Sequence, residues 1–172
     1  MRDYQNMVFS TAYRLLADRA EAEDISQEVF FKAYTHFDDL RRSPTAGGWL
    51  KTVTRNLCLS FLTRRRSRWK LFSEFDPEDE EAVGRFEDKL GEPETTSQSL
   101  HDTDRREFLS AELDKLPAAQ RVALVLYHFH ELSYEAIAAQ LKVSLSKVKI
   151  DIHRARQTLR RRLEGSQRTL LS

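Results

Sequence analysis

Seven residues near the C-terminal end combine types and spacing suited to reading a nucleic acid: Ser144, Ser146, Lys147, Lys149, Ile150, His153 and Arg154. Placed on a helix at about 100° per residue, Ser146, Ile150, His153 and Gln157 share one face. Lys147, Lys149, Arg154, Arg160 and Arg161 flank it. Hydroxyl, imidazole and amide groups hydrogen-bond base edges, an isoleucine packs on a thymine methyl, and flanking cations hold phosphates. A second polar set comes earlier: Arg41, Arg42 and Ser43, then Lys51, Arg55 and Asn56, then the run Arg64-Arg65-Arg66-Ser67-Arg68-Trp69-Lys70. Such a run suits phosphates. A third set, Asp24, Gln27, Glu28 and Phe31, is spaced i, i+3, i+4 and i+7. A phenylalanine among acids on a polar face is either a protein-binding hot spot or one of the single exposed aromatics common on any surface.

Catalytic signals are missing from the sequence. It contains no glycine-rich phosphate loop, no HExxH, no nucleophile elbow and no kinase motif, so no enzyme activity and no catalytic residue is assigned. Cys58 is the only cysteine, which excludes an intramolecular disulfide and a thiolate-rich metal site. It reads as a small buried apolar residue. His128 and His130 lack a cysteine or carboxylate set to complete a metal site and read as helix-end or surface groups. No metal and no cofactor is expected.

The elements that must position these sets are all helical. Ser133 reads as the N-cap of a helix over Tyr134 to Leu141, with Ile137, Ala138 and Leu141 inward. Lys142 to Leu145 form a turn, Val143 points to the core, and Ser144 or Ser146 caps the next helix. That helix carries Val148, Ile152, Ala155, Leu159 and Leu163 on one narrow stripe and ends in a frayed tail from Gly165. The outline is a helix-turn-helix, the alternative being a solvated basic helix packed on a small bundle.

Upstream, a helix over residues 2–17 turns its apolar positions Tyr4, Val8, Ala12, Leu15 and Leu16 inward. A break at Asp18–Arg19 leads to a helix over about Glu21 to Leu40 with Ile25, Val29, Phe30, Ala33 and Phe37 as core. A loop covers Asp38 to Gly48, because Ser43-Pro44 and two glycines break helix. A third helix runs from Trp49 to about Trp69, its apolar side formed by Leu50, Val53, Leu57, Phe61 and Leu62; Trp49 either joins the core or stacks on a base. In the C-terminal part a helix from Arg105 carries Phe108, Leu109, Leu113 and Leu116, and Pro117 opens the apolar helix to Phe129.

Net charge is only +1, but it is segregated. Residues 1–72 hold 13 basic and 8 acidic side chains, net +5; residues 73–104 hold 2 and 12, net −10; residues 105–172 hold 13 and 7, net +6. Two small helical domains, 1–72 and 105–172, are therefore expected, joined by an acidic linker over 73–104, and a polyanion is the expected partner. As a flexible coil the linker would span about 30 Å and stretch to about 100 Å. Its acidity serves solubility, or it mimics nucleic acid in a basic channel or against the two basic domains. No run suits a membrane span or signal peptide, so a cytoplasmic protein without membrane insertion is expected.

Two stretches, in order, resemble one family. Ala22-Glu23-Asp24-Ile25-Ser26-Gln27-Glu28-Val29-Phe30 is similar to region 2 of bacterial sigma factors, and Trp49-Leu50 with Arg55-Asn56 resembles the next part of that region. Leu116-Pro117, Ser133-Tyr134-Glu135-Ala136-Ile137-Ala138, Val148-Lys149 and His153-Arg154-Ala155-Arg156 resemble region 4. The arrangement is similar to the extracytoplasmic function (ECF) group, which keeps only these two domains, and covers about four fifths of the chain. The resemblance implies a transcription initiation factor that binds core RNA polymerase, at the clamp and flap regions, and promoter DNA. It implies that Asp24, Gln27, Glu28 and Phe31 meet the clamp coiled coil of the largest subunit. Arg41, Arg42, Ser43, Lys51, Arg55, Asn56, Arg64 and Arg65 would hold the −10 element as an unpaired strand. Tyr134, Ser144, Ser146, Lys147, Lys149, Ile150, His153 and Arg154 would read the −35 duplex. The linker would thread near the RNA exit path, and an anti-sigma factor is a further implied partner.

The chain departs from the family pattern at four of these positions. Family members often carry Pro and Gly where Ser144 and Ser146 stand, and Ser and Arg where Ile150 and Asp151 stand. Asp151 would repel phosphate, accept from a cytosine amino group, or pair with a neighbouring Arg. The N-terminus is short for the family, from a trimmed first helix or a misassigned start. Two other readings stand beside the sigma reading: a stand-alone helix-turn-helix regulator, and a polymerase-binding adaptor or antagonist with a degenerate DNA face.

Overall fold

The computed structural model describes the backbone of residues 2–72 and 109–170, and the side chains of residues 4–65 and 109–163. Among these residues every regular element is a helix. The chain runs through α1 (Arg2–Leu16), α2 (Arg19–Thr35), α3 (Phe37–Leu40), α4 (Ala46–Phe72), a helical segment over 109–114 (α5), α6 (Ala118–His130), α7 (Tyr134–Leu141) and α8 (Leu145–Leu170). The acidic segment 73–104, the expectations attached to it, and Phe108 lie outside the described residues.

Local chemistry explains most boundaries. Ala17 takes a left-handed φ of 50°, which ends α1. Asp18 then caps α2, accepting the Glu21 N–H at 3.2 Å. The helix expected to continue to Leu40 breaks at His36, and α3 follows as a single turn. The expected loop Asp38–Gly48 is therefore shorter: only residues 41–45 lie between α3 and α4. Gly47 and Gly48 do not break helix but sit in the first turn of α4. A Cβ on Gly47 would come within 3.1 Å of the Tyr4 ring, so the small residue lets α1 and α4 approach.

The first unit packs α1, α2 and α4 around Val8, Ala12, Leu15, Ala22, Ile25, Val29, Ala33, Leu50 and Cys58. Phe37, expected in the core, is 42% exposed because the break at His36 turns it off the α2 stripe. Cys58 is fully buried, and burial pushes its thiol up to about 12, so it packs as an apolar group. The second unit packs α6, α7 and α8 around Val122, Val125, Leu126, Ile137, Val148, Ile152 and Ala155. Pro117, expected as the first residue of this helix, is instead its N-cap, and α6 begins one residue later at Ala118. Gly165 lies within α8, which continues to Leu170 instead of fraying.

The two units touch. Tyr13 on α1 donates to Asp114 Oδ2 at 2.8 Å. Arg121 on α6, 6% exposed, donates to the Leu116 carbonyl at 3.2 Å and across to the Leu16 carbonyl at 3.3 Å. The latter bond places a guanidinium on the C-terminal carbonyls of α1, where a helix favours positive charge. Arg14 lies over the Phe129 ring at 4.5 Å.

Candidate nucleic-acid interface

The helix-turn-helix is built by two hydroxyl caps and one left-handed residue. Ser133 Oγ accepts the Ala136 N–H at 3.1 Å at the start of α7. Lys142 takes a φ of 54° and ends it, its N–H donating to the Ala138 carbonyl. Ser144 Oγ accepts the Lys147 N–H at 3.2 Å, which settles the choice of cap for α8 in favour of Ser144 over Ser146. One of the seven opening residues is therefore engaged by the backbone of its own helix.

The stripe Val148, Ile152, Ala155 and Leu159 is buried as expected. Ser146, Lys149 and Arg154 are exposed, and Lys147, Ile150 and His153 are half-buried. Tyr134 is half-buried at the start of α7, stacked on Tyr127 with ring centroids 4.9 Å apart. Asp151 is the surprise. It is buried, 7% exposed, and lies 3.6 Å from Lys147 Nζ. The acid is thus folded under the helix against a lysine one turn earlier, not displayed at the edge of the reading face. The i, i+4 pairing was the available sequence signal.

The −10 candidates divide into separate surfaces. Arg41 and Arg42 are exposed in the turn between α3 and α4, and Arg41 pairs with Asp38 at 3.3 Å. Ser43 Oγ bonds Thr45 Oγ1 at 2.8 Å and accepts the Thr45 N–H at 3.2 Å, fixing the turn. Beside it opens a pocket of about 350 Å³ walled by Tyr4, Phe30, Phe37 and Leu40, with Arg41 and Ser43 in its lining. Lys51 and Arg55, one turn apart on α4, are half-buried toward the second unit. Asn56 is exposed about 100° further round, and accepts long bonds of 3.4 and 3.5 Å from Arg55. Arg64 and Arg65 are exposed two to three turns beyond. The side chains of Arg66 to Lys70 lie outside the described set. Trp49 is half-buried against His36, ring centroids 5.7 Å apart.

On α2, Asp24, Gln27, Glu28 and Phe31 are all exposed, Phe31 by 71%. Tyr34, 74% exposed, extends the same face by one turn and was missed, although its i+3 spacing from Phe31 is plain in the sequence. An exposed pair of large aromatics is unusual enough to mark a contact surface.

Comparison with known proteins bears on what these faces belong to. Residues 1–68 match the Sigma-70 region 2 family, and residues 107–159 match the Sigma-70 region 4 family. The chain is 34% identical over 143 residues to the ECF RNA polymerase sigma factor EcfG of Rhodopseudomonas palustris, covering 83% of this chain and 70% of that one. The chain belongs to the ECF RNA polymerase sigma factors. Within that family it is also 38% identical over 160 residues to SigE of Mycolicibacterium smegmatis, covering 93% of this sigma factor but 58% of that one. A solved structure of the sigma factor RpoE in complex with the anti-sigma factor NepR, from Bartonella quintana, aligns with a TM-score of 0.50 at 26% identity, over 95% of this chain and 93% of that one. Two sigma regions in this order thus account for both helical units. Among the described residues of this sigma factor, no helix is long and apolar enough to cross a membrane.

Proposed function

We propose that this sigma factor joins core RNA polymerase through α2 and directs it to promoters by holding a −10 strand on the first unit and reading a −35 duplex with α8. One observation carries the reading: the exposed Phe31 and Tyr34 face on α2 and the basic face of α8 belong to different units, each matching its own sigma region. Asp24, Gln27 and Glu28 would surround Phe31 as the polar rim of the polymerase contact. The pocket beside Ser43 has the volume and aromatic walls to take one extruded base, with Arg41 and Arg42 on its backbone. Asn56, Arg64 and Arg65 would follow the strand along the outer side of α4, and Lys51 and Arg55 would join once the second unit moves away.

On α8, Ser146 and Ile150 would face base edges, while Lys149 and Arg154 hold phosphates and Lys147 and His153 flank them. Tyr134 would place its hydroxyl at the backbone. The burial of Asp151 favours a working DNA face over the degenerate one of an antagonist, because the acid is neutralised within the helix. The protein would perform no chemistry of its own, act in the cytoplasm with its polymerase, and be held inactive by an anti-sigma factor.

The test is transcription by bacterial core polymerase on a randomised promoter library, with and without the protein, followed by sequencing of the transcripts. Protein-dependent transcripts sharing a two-part motif are expected. Binding to core without transcripts would turn the reading to an antagonist. Binding to duplex DNA without binding to core would turn it to a stand-alone regulator.

A further inference from the structure

A cleft of about 380 Å³ lies between α1 and α4 of the first unit and α6 of the second. Its walls divide by chemistry. Ser10, Thr11, Arg14 and Lys51 supply hydroxyls and cations, and Phe129 supplies an aromatic face. His130 also lines the space, and no carboxylate does so among the described residues. Lys51 forms no ion pair among the described residues. Thr11 is 6% exposed, yet its hydroxyl makes no hydrogen bond among the described residues, whereas the buried Thr54 hydroxyl donates to the Leu50 carbonyl at 2.7 Å. That hydroxyl, at the cleft wall, is open to a partner from outside.

The electrostatics agree with the geometry. Burial first, then the charges of Lys51, Arg55 and Arg14, push His130 down to about 4. Three cations from two helices therefore lie within electrostatic reach of one imidazole, two of them, Arg14 and Lys51, at the cleft wall, and their field favours an anion there. The volume falls in the ordinary range for small-molecule sites, roughly 300–1,000 Å³.

We propose that this cleft binds a small organic phosphate, of nucleoside diphosphate size and chemistry, and that its occupancy holds the two units together. The phosphates lie against Lys51 and Arg14 with Thr11 and Ser10 donating, and the apolar part lies against Met7, Val125 and the edge of Phe129 left by Arg14. The consequence rests on the proposed −10 role of Lys51: a ligand phosphate held there takes the place of the DNA backbone. The bound form is then closed and unable to engage an unpaired strand along this side of α4.

The experiment uses the full chain, with ADP and inorganic pyrophosphate as probes in titration calorimetry. Donor and acceptor dyes on α2 and α8 report the separation of the units. One ADP per chain is expected, tighter than pyrophosphate, with a narrower dye-to-dye distance distribution on binding. Ser10→Asp adds a carboxylate to the cleft without removing a hydrogen bond among the described residues and should weaken ADP binding at least tenfold. Thr11→Val, which preserves shape, should weaken it severalfold. Lys149→Ala on α8 should leave it unchanged. No binding at millimolar ADP, equal binding by Ser10→Asp, or loss of binding in Lys149→Ala overturns the site. Pyrophosphate binding as tightly as ADP overturns the organic-phosphate class. Promoter-library transcription without ADP binding would sink the cleft alone, whereas ADP binding without transcription would sink the sigma mechanism alone.

Discussion

The outward faces of α2 and α8 have opposite characters. On α2 the face centres on Phe31 and Tyr34, with charges of both signs around them and a long Lys32–Glu28 pair at 3.9 Å. On α8 the exposed positions among the described side chains are Leu145, Ser146, Lys149, Arg154, Gln157, Arg160 and Arg161, mostly cationic and with no aromatic among them. The first face gains free energy by removing apolar area from water, so it suits a protein. The second gains it by displacing counterions from phosphates, so it suits DNA. Two helices of one small chain thus separate the two kinds of binding energy, and each can be weakened without the other.

The largest expected effect is on α2. Phe31→Ala should weaken binding to core polymerase by about 2–4 kcal/mol, the range for an interface hot spot, with little dependence on salt. Its thermal midpoint should stay near that of the parent, because the side chain is exposed. Unchanged polymerase affinity would remove α2 from the interface. Next comes α8: Lys149→Ala or Arg154→Ala should weaken binding to all duplexes and reduce the salt slope by about 0.9 each. A change confined to one promoter sequence would instead make that residue a base reader, which sharpens the contrast.

Smaller effects probe the frames that hold these faces. Ser144→Ala should destabilise the second unit by about 0.5–2 kcal/mol through loss of the cap on Lys147 N–H. Ser146→Ala should leave stability near the parent's and alter only DNA selectivity. Thermal melts of the two variants separate cap from contact. The last prediction concerns the contact between units. His130 titrates ordinarily near 6.5 when exposed but near 4 when packed against Lys51 and Arg55 of α4 and Arg14 of α1. The packed state therefore favours the neutral imidazole. Its contribution is intact above about pH 6.5 and is lost as pH falls toward 4. Dye-labelled protein should open on acidification from pH 7 to 5, and His130→Gln should flatten that response.

Local patterns were legible in the sequence, and contacts between distant elements were not. The α7–α8 turn, the start of α6 next to Pro117 and the buried stripe on α8 follow from spacing and caps within a few residues. Gly47 and Gly48 misled because a glycine's tolerance depends on its surroundings: here Gly47 faces the Tyr4 ring from α1, 43 residues earlier in the chain. Phe37 misled because a break at His36 rotates it off the α2 stripe. His130 read as a helix-end or surface group and Arg121 drew no reading, and both meet the first unit, Arg121 at the Leu16 carbonyl and His130 at the charges of Lys51, Arg55 and Arg14. In the candidate sites, the α8 face was read nearly whole, apart from Asp151. The −10 set was assembled by resemblance, and the fold distributes it over a turn and separate sides of α4.

The bond from Arg121 to the Leu16 carbonyl has a kinetic consequence. Parting the units must rehydrate a buried guanidinium and the end of α1 before any new contact forms. That requirement is a barrier, not merely an equilibrium preference. Capture by a partner that needs the units apart would then proceed at the rate of this opening, and raising the partner's concentration beyond that point would not make it faster.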